Sequence, residues 1–227
     1  MQFTVMRLTY IGHSCFHIDL DGITAYTDPF FSMEAGDRKR LVKPAITPDK
    51  IRECDLLFIT HEHYDHCDVP AVQEIVERTY AQVVAPRPTL AKLTISERSK
   101  VDVREGDKFE IKGVGIEVLK AVHPQSAYPV GFKITKGGKS VYFAGDTYRF
   151  PAMNRISADV AIVPIGGTYT MDAFDAASAC NEMQGLKFAV PMHYNTHDRI
   201  LQDPRDFARD VKKAKVMIMG PGDSFEF

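Results

Sequence analysis

Residues 61–66 read His-Glu-His-Tyr-Asp-His, and this run decides how the rest of the chain is interpreted. The apolar segment 55–60 before it is typical of a buried strand, and residues 68–70 after it are typical of the start of a helix. The run therefore falls on the turn at the carboxyl end of a strand. Open α/β sheets place their ligands at such ends.

The run also supplies the side chains that metal sites use. On such a turn His61 and His63 can point at one position, and Asp65 and His66 at a second position close by. Imidazole and carboxylate groups bind zinc, iron or manganese, and hydrolytic sites often hold two such ions about 3.5–4 Å apart. The spacing therefore predicts a metal site rather than a polar surface loop.

Two metal ions need further ligands, which must come from other strand ends. His123 follows the predicted strand 116–121, Asp146 follows 141–144, and His193 follows 188–190. Each residue alone would be an ordinary loop residue. Together with the run at 61–66, their positions indicate one shared site.

Composition places the chain among ordinary globular proteins. Its 227 residues are 44% hydrophobic and 26% charged, with a net charge of −2, so nothing global indicates nucleic-acid or acidic-membrane binding. No apolar stretch approaches the roughly 18–20 residues that span a bilayer, and the N-terminus lacks the apolar core of a signal peptide. We expect one domain over residues 1–227 and a cytoplasmic location.

The order of predicted elements indicates an α/β class. Each half begins with strands, such as Phe3–Tyr10 and Lys108–Ala121, and continues with alternating helices and strands. The predicted helices cover 69–79, 89–94, 172–185 and 204–215. Two packed sheets with helices on their outer faces account for this order. Cys67 is interpreted as a packing residue.

Taken together, the motifs resemble the metallo-β-lactamase superfamily. Its signature H-x-H-x-D-H is matched at residues 61–66, and the later ligands follow in the family's order. Residues 12–14, 27–29 and 191–196 are similar to a branch of small metal-dependent hydrolases related to ascorbate-6-phosphate lactonase. The resemblance implies an α/β (α+β) fold, a four-layer αββα sandwich with its site between two sheets.

The resemblance also implies how the ligands divide between two divalent ions. His61, His63 and His123 would hold one ion, Asp65, His66 and His193 the other, with Asp146 bridging both. Zinc is the expected metal, and manganese, iron and nickel are the alternatives. Lactam-hydrolysing members often use a cysteine where this chain has Asp146, which argues against a β-lactamase.

Three residues have expected roles around the reaction. Asp65 is expected to orient a metal-bound hydroxide. Asp28 is expected to hydrogen-bond the 61–66 loop and fix a histidine tautomer, although a turn aspartate before proline is the alternative. His13 lies in a hairpin turn that comes near the cleft in this fold. It is a candidate for protonating the leaving group or touching substrate, and a turn histidine without such a role is equally compatible with the sequence.

Substrate contacts are the least determined feature. Asn195 and His197 follow the ligand His193 and are candidates for lining the cleft, although a surface position is preferred for His197 taken alone. The basic run at 38–43, with Arg38 and Lys43, is a candidate for binding an anionic group, and a solvated surface is the alternative.

The leading functional hypothesis is a dinuclear metal hydrolase acting on a small ester, lactone or phosphodiester. An iron-containing oxidoreductase, of dioxygenase or diiron type, and a nucleic-acid-processing phosphodiesterase are the alternatives. We expect a small-molecule partner, with an anionic one as an option, and neither a nucleic acid nor a membrane. Relatives in this branch often form oligomers, so a homo-oligomer is a further option.

Overall fold

Two mixed sheets form the centre of the protein in a computed structural model that describes residues 5–35 and 38–227. The strands are numbered along the chain. Across the first sheet they follow one another in the order β16 (Ser224–Glu226), β1 (Met6–Gly12), β2 (Cys15–Leu20), β3 (Thr24–Thr27), β6 (Leu56–Phe58), β7 (Gln82–Ala85) and β8 (Lys100–Asp102).

The second sheet has the same number of strands. Their order across it is β15 (Lys215–Val216), β14 (Phe188–Met192), β13 (Val160–Pro164), β12 (Lys139–Phe143), β11 (Val130–Lys136), β10 (Val114–Lys120) and β9 (Lys108–Ile111). A short ribbon of β4 (Glu34–Ala35) and β5 (Arg38–Lys39) lies outside both sheets.

Both sheets change from antiparallel to parallel pairing. In the first sheet β16, β1, β2 and β3 pair antiparallel, and β3, β6, β7 and β8 pair parallel. In the second sheet β9 to β12 pair antiparallel, and β12 to β15 pair parallel. The parallel strands of each sheet therefore end at a common edge, where the loops after them can meet.

The main core lies between the two sheets. Phe16 and Phe58 of the first sheet face Phe143 and Phe132 of the second, with ring centroids 6.5 and 5.3 Å apart. All four rings are fully buried. The alternation of apolar and polar residues along the strands turns these rings inward.

Helices cover the outer faces of both sheets. The helices are α1 (Val69–Thr79), α2 (Arg87–Leu90), α3 (Ala173–Glu182) and α4 (Pro204–Asp210). α1 packs Val72 and Ile75 on the first sheet, and Phe207 of α4 packs with α3 on the second. The four-layer αββα sandwich is therefore confirmed. Cys67 is buried beneath α1, where burial raises the pKa of its thiol to about 12.

Helix boundaries follow the capping residues. Asp172 accepts a 2.8 Å hydrogen bond from the backbone N–H of Asp175, and α3 begins as predicted. α1 covers the predicted residues. The prediction for α4 was too long, because Val211 turns extended and Lys215 pairs with β14. Among the described residues, no helix is long and apolar enough to cross a bilayer.

Three other predicted elements need correction. The segment 108–121 is a hairpin, because Lys112 and Gly113 both adopt positive φ (52° and 73°) and reverse the chain. The helix expected at 89–94 lies at 87–90 and ends within one turn. β1 begins later than expected at Met6, and residues 3 and 4 lie outside the described residues.

Candidate metal centre

The predicted ligands converge at the edge where the two sheets meet. The 61–66 loop follows β6, and Asp28 follows β3 in the same sheet. From the second sheet, His123 follows β10, Asp146 follows β12 and His193 follows β14. One cluster thus contains the four predicted ligands of the run and these three later residues.

The first group consists of three histidines. The Nδ1 atom of His63 lies 3.0 Å from Nε2 of His61 and 3.3 Å from Nε2 of His123. A tetrahedral ion bound at about 2.0–2.1 Å would separate its ligands by roughly 3.3 Å. These nitrogens are therefore spaced as the ligands of one ion.

Hydrogen bonds at the opposite ring nitrogens fix the tautomers of this group. Nε2 of His63 lies 3.1 Å from the carbonyl oxygen of Gln125, and Nδ1 of His123 lies 3.2 Å from that of Tyr169. A carbonyl only accepts, so these nitrogens carry the protons. The converging nitrogens are left with lone pairs for a metal.

The second group combines imidazoles with carboxylates. His193 Nε2 lies 3.3 Å from Asp146 Oδ2 and 3.9 Å from Asp65 Oδ2. His66 Nε2 lies 3.3 Å from Asp146 Oδ1. Asp146 also approaches the first group, since its Oδ2 is 3.8 Å from His123 Nε2. Its carboxylate thus lies between the two groups.

Asp28 orients one histidine of each group. Its carboxylate accepts hydrogen bonds from the Thr60 backbone N–H (2.7 Å) and hydroxyl (2.8 Å), and lies 2.6 Å from Nδ1 of His66. The same Thr60 hydroxyl is 3.0 Å from Nδ1 of His61. Because Asp28 is fully buried, these bonds are not exchanged with water. Nε2 of both histidines is left facing the site.

A glycine lets the second sheet approach this network. Gly145 has φ +60°, and a Cβ on it would lie 2.7 Å from Cβ of Thr60. Only a residue without a side chain fits there without moving Thr60. Gly145 therefore brings Asp146 next to the loop that carries the other ligands.

Burial and neighbouring charges set the ionisation of the histidines. Burial lowers the pKa below its usual value in three of them: His13, His61 and His123. Burial acts in the same direction on His66, but the carboxylates of Asp146 and Asp28 outweigh it and raise the pKa of this ring well above the usual value.

The two carboxyl groups near the second group of ligands both have pKa values below the usual value. Burial raises the pKa of Asp65, but His13 and His66 more than offset it, so that the pKa lies far below its usual value. For Asp146, His193 and His66 likewise overcome burial and lower the pKa. The carboxyl groups of Asp65 and Asp146 are therefore both ionised at neutral pH, the state in which carboxylates bind metals.

Several buried polar atoms of the cluster have no hydrogen-bond partner among the described residues. They are His66 Nε2, Asp146 Oδ1 and both ring nitrogens of His13 and His193. Although these atoms of His66 and Asp146 approach each other to 3.3 Å, burying such an atom without a hydrogen bond costs about 1–3 kcal/mol. Because they converge on the same volume, bound cations would satisfy them together. The cluster therefore fits the two metal ions that the sequence predicts.

A cavity of about 260 Å³ opens onto both groups. Its lining residues are His63, Tyr64, Asp65, His123, Gln125, Asp146, Tyr169 and His193. The sequence did not single out Gln125 or Tyr169, since both lie in loops and carry no motif. They reach the site because the loops after β10 and β13 fold over the ligands.

Two residues expected near the substrate do not line the cavity. The side chain of His13 has no solvent exposure and lies behind the cavity lining, with Nε2 3.5 Å from Oδ2 of Asp65. Asn195 does not line the cavity either, because its side chain is hydrogen-bonded to the backbone of Gln202.

The remaining substrate candidates differ in where the structure places them. His197 is buried rather than on the surface, with Nδ1 3.3 Å from the carbonyl oxygen of Lys39, and it lines a small pocket beside the cavity. Lys43 is exposed and lies outside the cavity lining. The side chain of Arg38 lies outside the described part of the structure.

Comparison with known proteins gives matches over nearly the whole chain. A family model described as the beta-lactamase superfamily domain matches residues 7–193. A UPF0173 metal-dependent hydrolase of Ignicoccus hospitalis is 34% identical over 238 residues, covering 99% of both chains. One of Sulfurisphaera tokodaii is 30% identical over 230 residues, covering 97% of this chain and 99% of the relative.

A solved structure is similar to the same extent. Igni18, described as a novel metallo hydrolase from Ignicoccus hospitalis, superposes with a TM-score of 0.82 at 34% identity. The match covers 99% of each chain.

Proposed function

Because this chain belongs to the metallo-β-lactamase superfamily of metal-dependent hydrolases, we propose that it hydrolyses a small ester, lactone or phosphodiester at a dinuclear metal centre. One observation carries the proposal. Two groups of ligand atoms, one of imidazoles and one of imidazoles and carboxylates, both lie next to the carboxylate of Asp146.

The residues divide between the two ions according to these groups. His61, His63 and His123 would hold the first ion. The second would take Asp65, His66 and His193, with Asp146 shared. When bound, such a pair of ions supplies hydroxide at neutral pH and takes up negative charge from the substrate oxygen.

The side chains around the ligands have separate tasks. Asp65 is ionised and lines the cavity, so it can accept a hydrogen bond from the attacking water and orient it. Asp28 holds the ring of His66 and so keeps Nε2 of this ligand directed at the second group. The rings of Tyr64 and Tyr169 border the cavity and would exclude bulk water from a bound substrate.

The size of the cavity supports a small substrate. Its volume of about 260 Å³ lies just below the roughly 300–1,000 Å³ of sites for drug-sized ligands. No described lysine or arginine lines it. Arg199 lies beside it, since its guanidinium donates a 3.2 Å hydrogen bond to the hydroxyl of the lining residue Tyr169. A negative group on the substrate would therefore sit at the rim beside Tyr169.

The donor set also fits iron, so the oxidoreductase alternative is part of the test. We would strip the full chain with chelator, reload it with zinc, manganese, nickel or iron(II), and screen chromogenic lactones, esters and phosphodiesters. Oxygen consumption would be followed in the iron form.

We expect metal-dependent hydrolysis of one of these substrate classes. Asp146→Asn should lower that activity by roughly 100-fold or more, because a shared ligand is lost. Asp172→Asn, at the start of α3 and outside the site, serves as the matched control. Hydrolysis that survives both the chelator and Asp146→Asn, or turnover only with iron and oxygen, would refute the proposal.

A further inference from the structure

We propose that His13 is a direct ligand of the second metal ion, together with Asp65, His66 and His193. This inference rests on the proposed dinuclear site and adds a ligand from the turn between β1 and β2. The H-x-H-x-D-H run and the later strand ends do not supply it.

The ring of His13 lies in an environment that favours binding to a metal ion. Its side chain has no solvent exposure, and neither ring nitrogen has a hydrogen-bond partner among the described residues. A neutral imidazole carries one N–H donor and one lone pair, and burial normally requires partners for both. A metal bond at one nitrogen removes the cost of an unpaired lone pair.

The ring of His13 also lies close to the other ligands of the second ion. Nε2 of His13 lies 3.5 Å from Oδ2 of Asp65. One ligand atom from each of the four residues lies within 4.8 Å of the others. Ligands on opposite sides of one ion, at about 2.0–2.2 Å from it, are separated by up to roughly 4.4 Å. The four side chains thus already stand near the spacing of one coordination sphere.

The backbone around His13 fixes the ring in this position. His13 adopts φ +62° after Gly12 at φ +139°, so the turn is tight. Its carbonyl oxygen accepts hydrogen bonds from the His193 backbone N–H (3.0 Å) and the Tyr10 hydroxyl (3.3 Å). The guanidinium of Arg40 packs against Gly12 and occupies the space that a Cβ on Gly12 would need. Such preorganisation suits a ligand better than a mobile proton donor.

A hydrogen bond from His13 to Asp65 is the competing interpretation. A separation of 3.5 Å is at the outer limit for such a bond, since N–H···O distances are usually 2.7–3.2 Å. As a mere partner of Asp65, His13 would alter the affinity of the centre without changing the number of its ligands. The two interpretations therefore differ in a spectroscopic property.

Cobalt(II) provides that property, because its d–d absorption depends on the ligands. The chelator-stripped full chain would be titrated with cobalt(II), and binding followed by calorimetry and by absorption. His13→Asn is the test variant, since asparagine tolerates positive φ but is too short to reach the ion. His17→Asn, on β2 and outside the cluster, is the matched control.

We expect wild type and His17→Asn to bind two equivalents with the same spectrum. In His13→Asn the first equivalent should bind unchanged, while the second binds at least 10-fold more weakly with altered d–d bands. Unchanged bands for the second equivalent, whatever its affinity, would overturn the proposal. Fewer than two equivalents in the wild type would instead contradict the proposed dinuclear function.

A measurement on the wild type covers the case in which the variant does not fold. In the zinc-loaded protein, the ¹⁵N resonance of His13 Nε2 should lie in the range of a metal-bound nitrogen. A resonance typical of a protonated N–H at that atom would refute the proposal.

Discussion

The backbone N–H of His193 donates a 3.0 Å hydrogen bond to the carbonyl oxygen of His13, although 180 positions separate the two residues. This bond joins the end of β14 in the second sheet to the turn after β1 in the first. Both residues adopt positive φ (55° and 62°). The candidate centre is thus assembled across the seam between the sheets, and its geometry depends on both.

Asp28→Asn should weaken binding of the second metal ion by about 10–100-fold. An amide at this position would present an N–H to one of the groups that now donate to the carboxylate, either Thr60 or His66. The ring of His66 would then lose its orientation. Competition with a chromogenic chelator measures the two affinities separately.

Asp19→Asn on β2 is the control for the Asp28 experiment, since Asp19 lies away from the cluster. Equal metal affinity in Asp28→Asn and in the wild type would show that Asp28 does not orient the site.

Glu62→Ala should loosen the loop that carries His123. The Glu62 carboxylate accepts hydrogen bonds from the Ser126 hydroxyl (2.9 Å) and the Ala127 backbone N–H (2.8 Å). Losing both should lower the free energy of unfolding by about 1–2 kcal/mol. The substitution should also weaken binding of the first metal ion relative to binding of the second. Urea unfolding and chelator competition measure the two effects.

Ser126→Ala removes only one of these two hydrogen bonds and should give a smaller change. Unchanged stability and unchanged affinity for the first metal ion in Glu62→Ala would show that these hydrogen bonds do not tether the loop.

Asp159→Asn should destabilise the protein in a pH-dependent way. Asp159 accepts hydrogen bonds from the Ser140 backbone N–H (2.8 Å) and hydroxyl (3.1 Å) and pairs with Lys187 at 2.8 Å. Burial raises the pKa of this carboxyl, but Lys187 and Ser140 more than offset it, and the pKa lies below its usual value. Its stabilising effect is therefore full above the unfolded pKa of about 3.9 and is lost as the pH falls through the folded value.

Urea unfolding at two pH values measures this effect. The variant should lose about 1 kcal/mol at pH 7 and markedly less near pH 2–3. The same loss at both values would show that the charge of Asp159 contributes nothing.

The sequence predicted the parts of the site that follow strand ends. His123, Asp146 and His193 could be located because each comes directly after an apolar strand, and parallel strands bring their ends together. α1 was predicted correctly because its apolar positions repeat at the helical period.

Long-range packing determined the features that the sequence did not reveal. His197 is buried because the segment near Lys39 folds over it, and no local pattern indicates that contact. The position of His13 depends on β14, which lies far along the chain. Tyr169 reaches the cavity through a loop whose course follows from packing alone.

The metal content of the full chain is the most direct test of the dinuclear centre. Protein purified without added metal or chelator would be analysed for its elements against its concentration, with Asp146→Asn in parallel. We expect two equivalents of divalent metal in the wild type and fewer in the variant. One equivalent or none in the wild type, even after reconstitution with excess metal, would contradict the dinuclear centre.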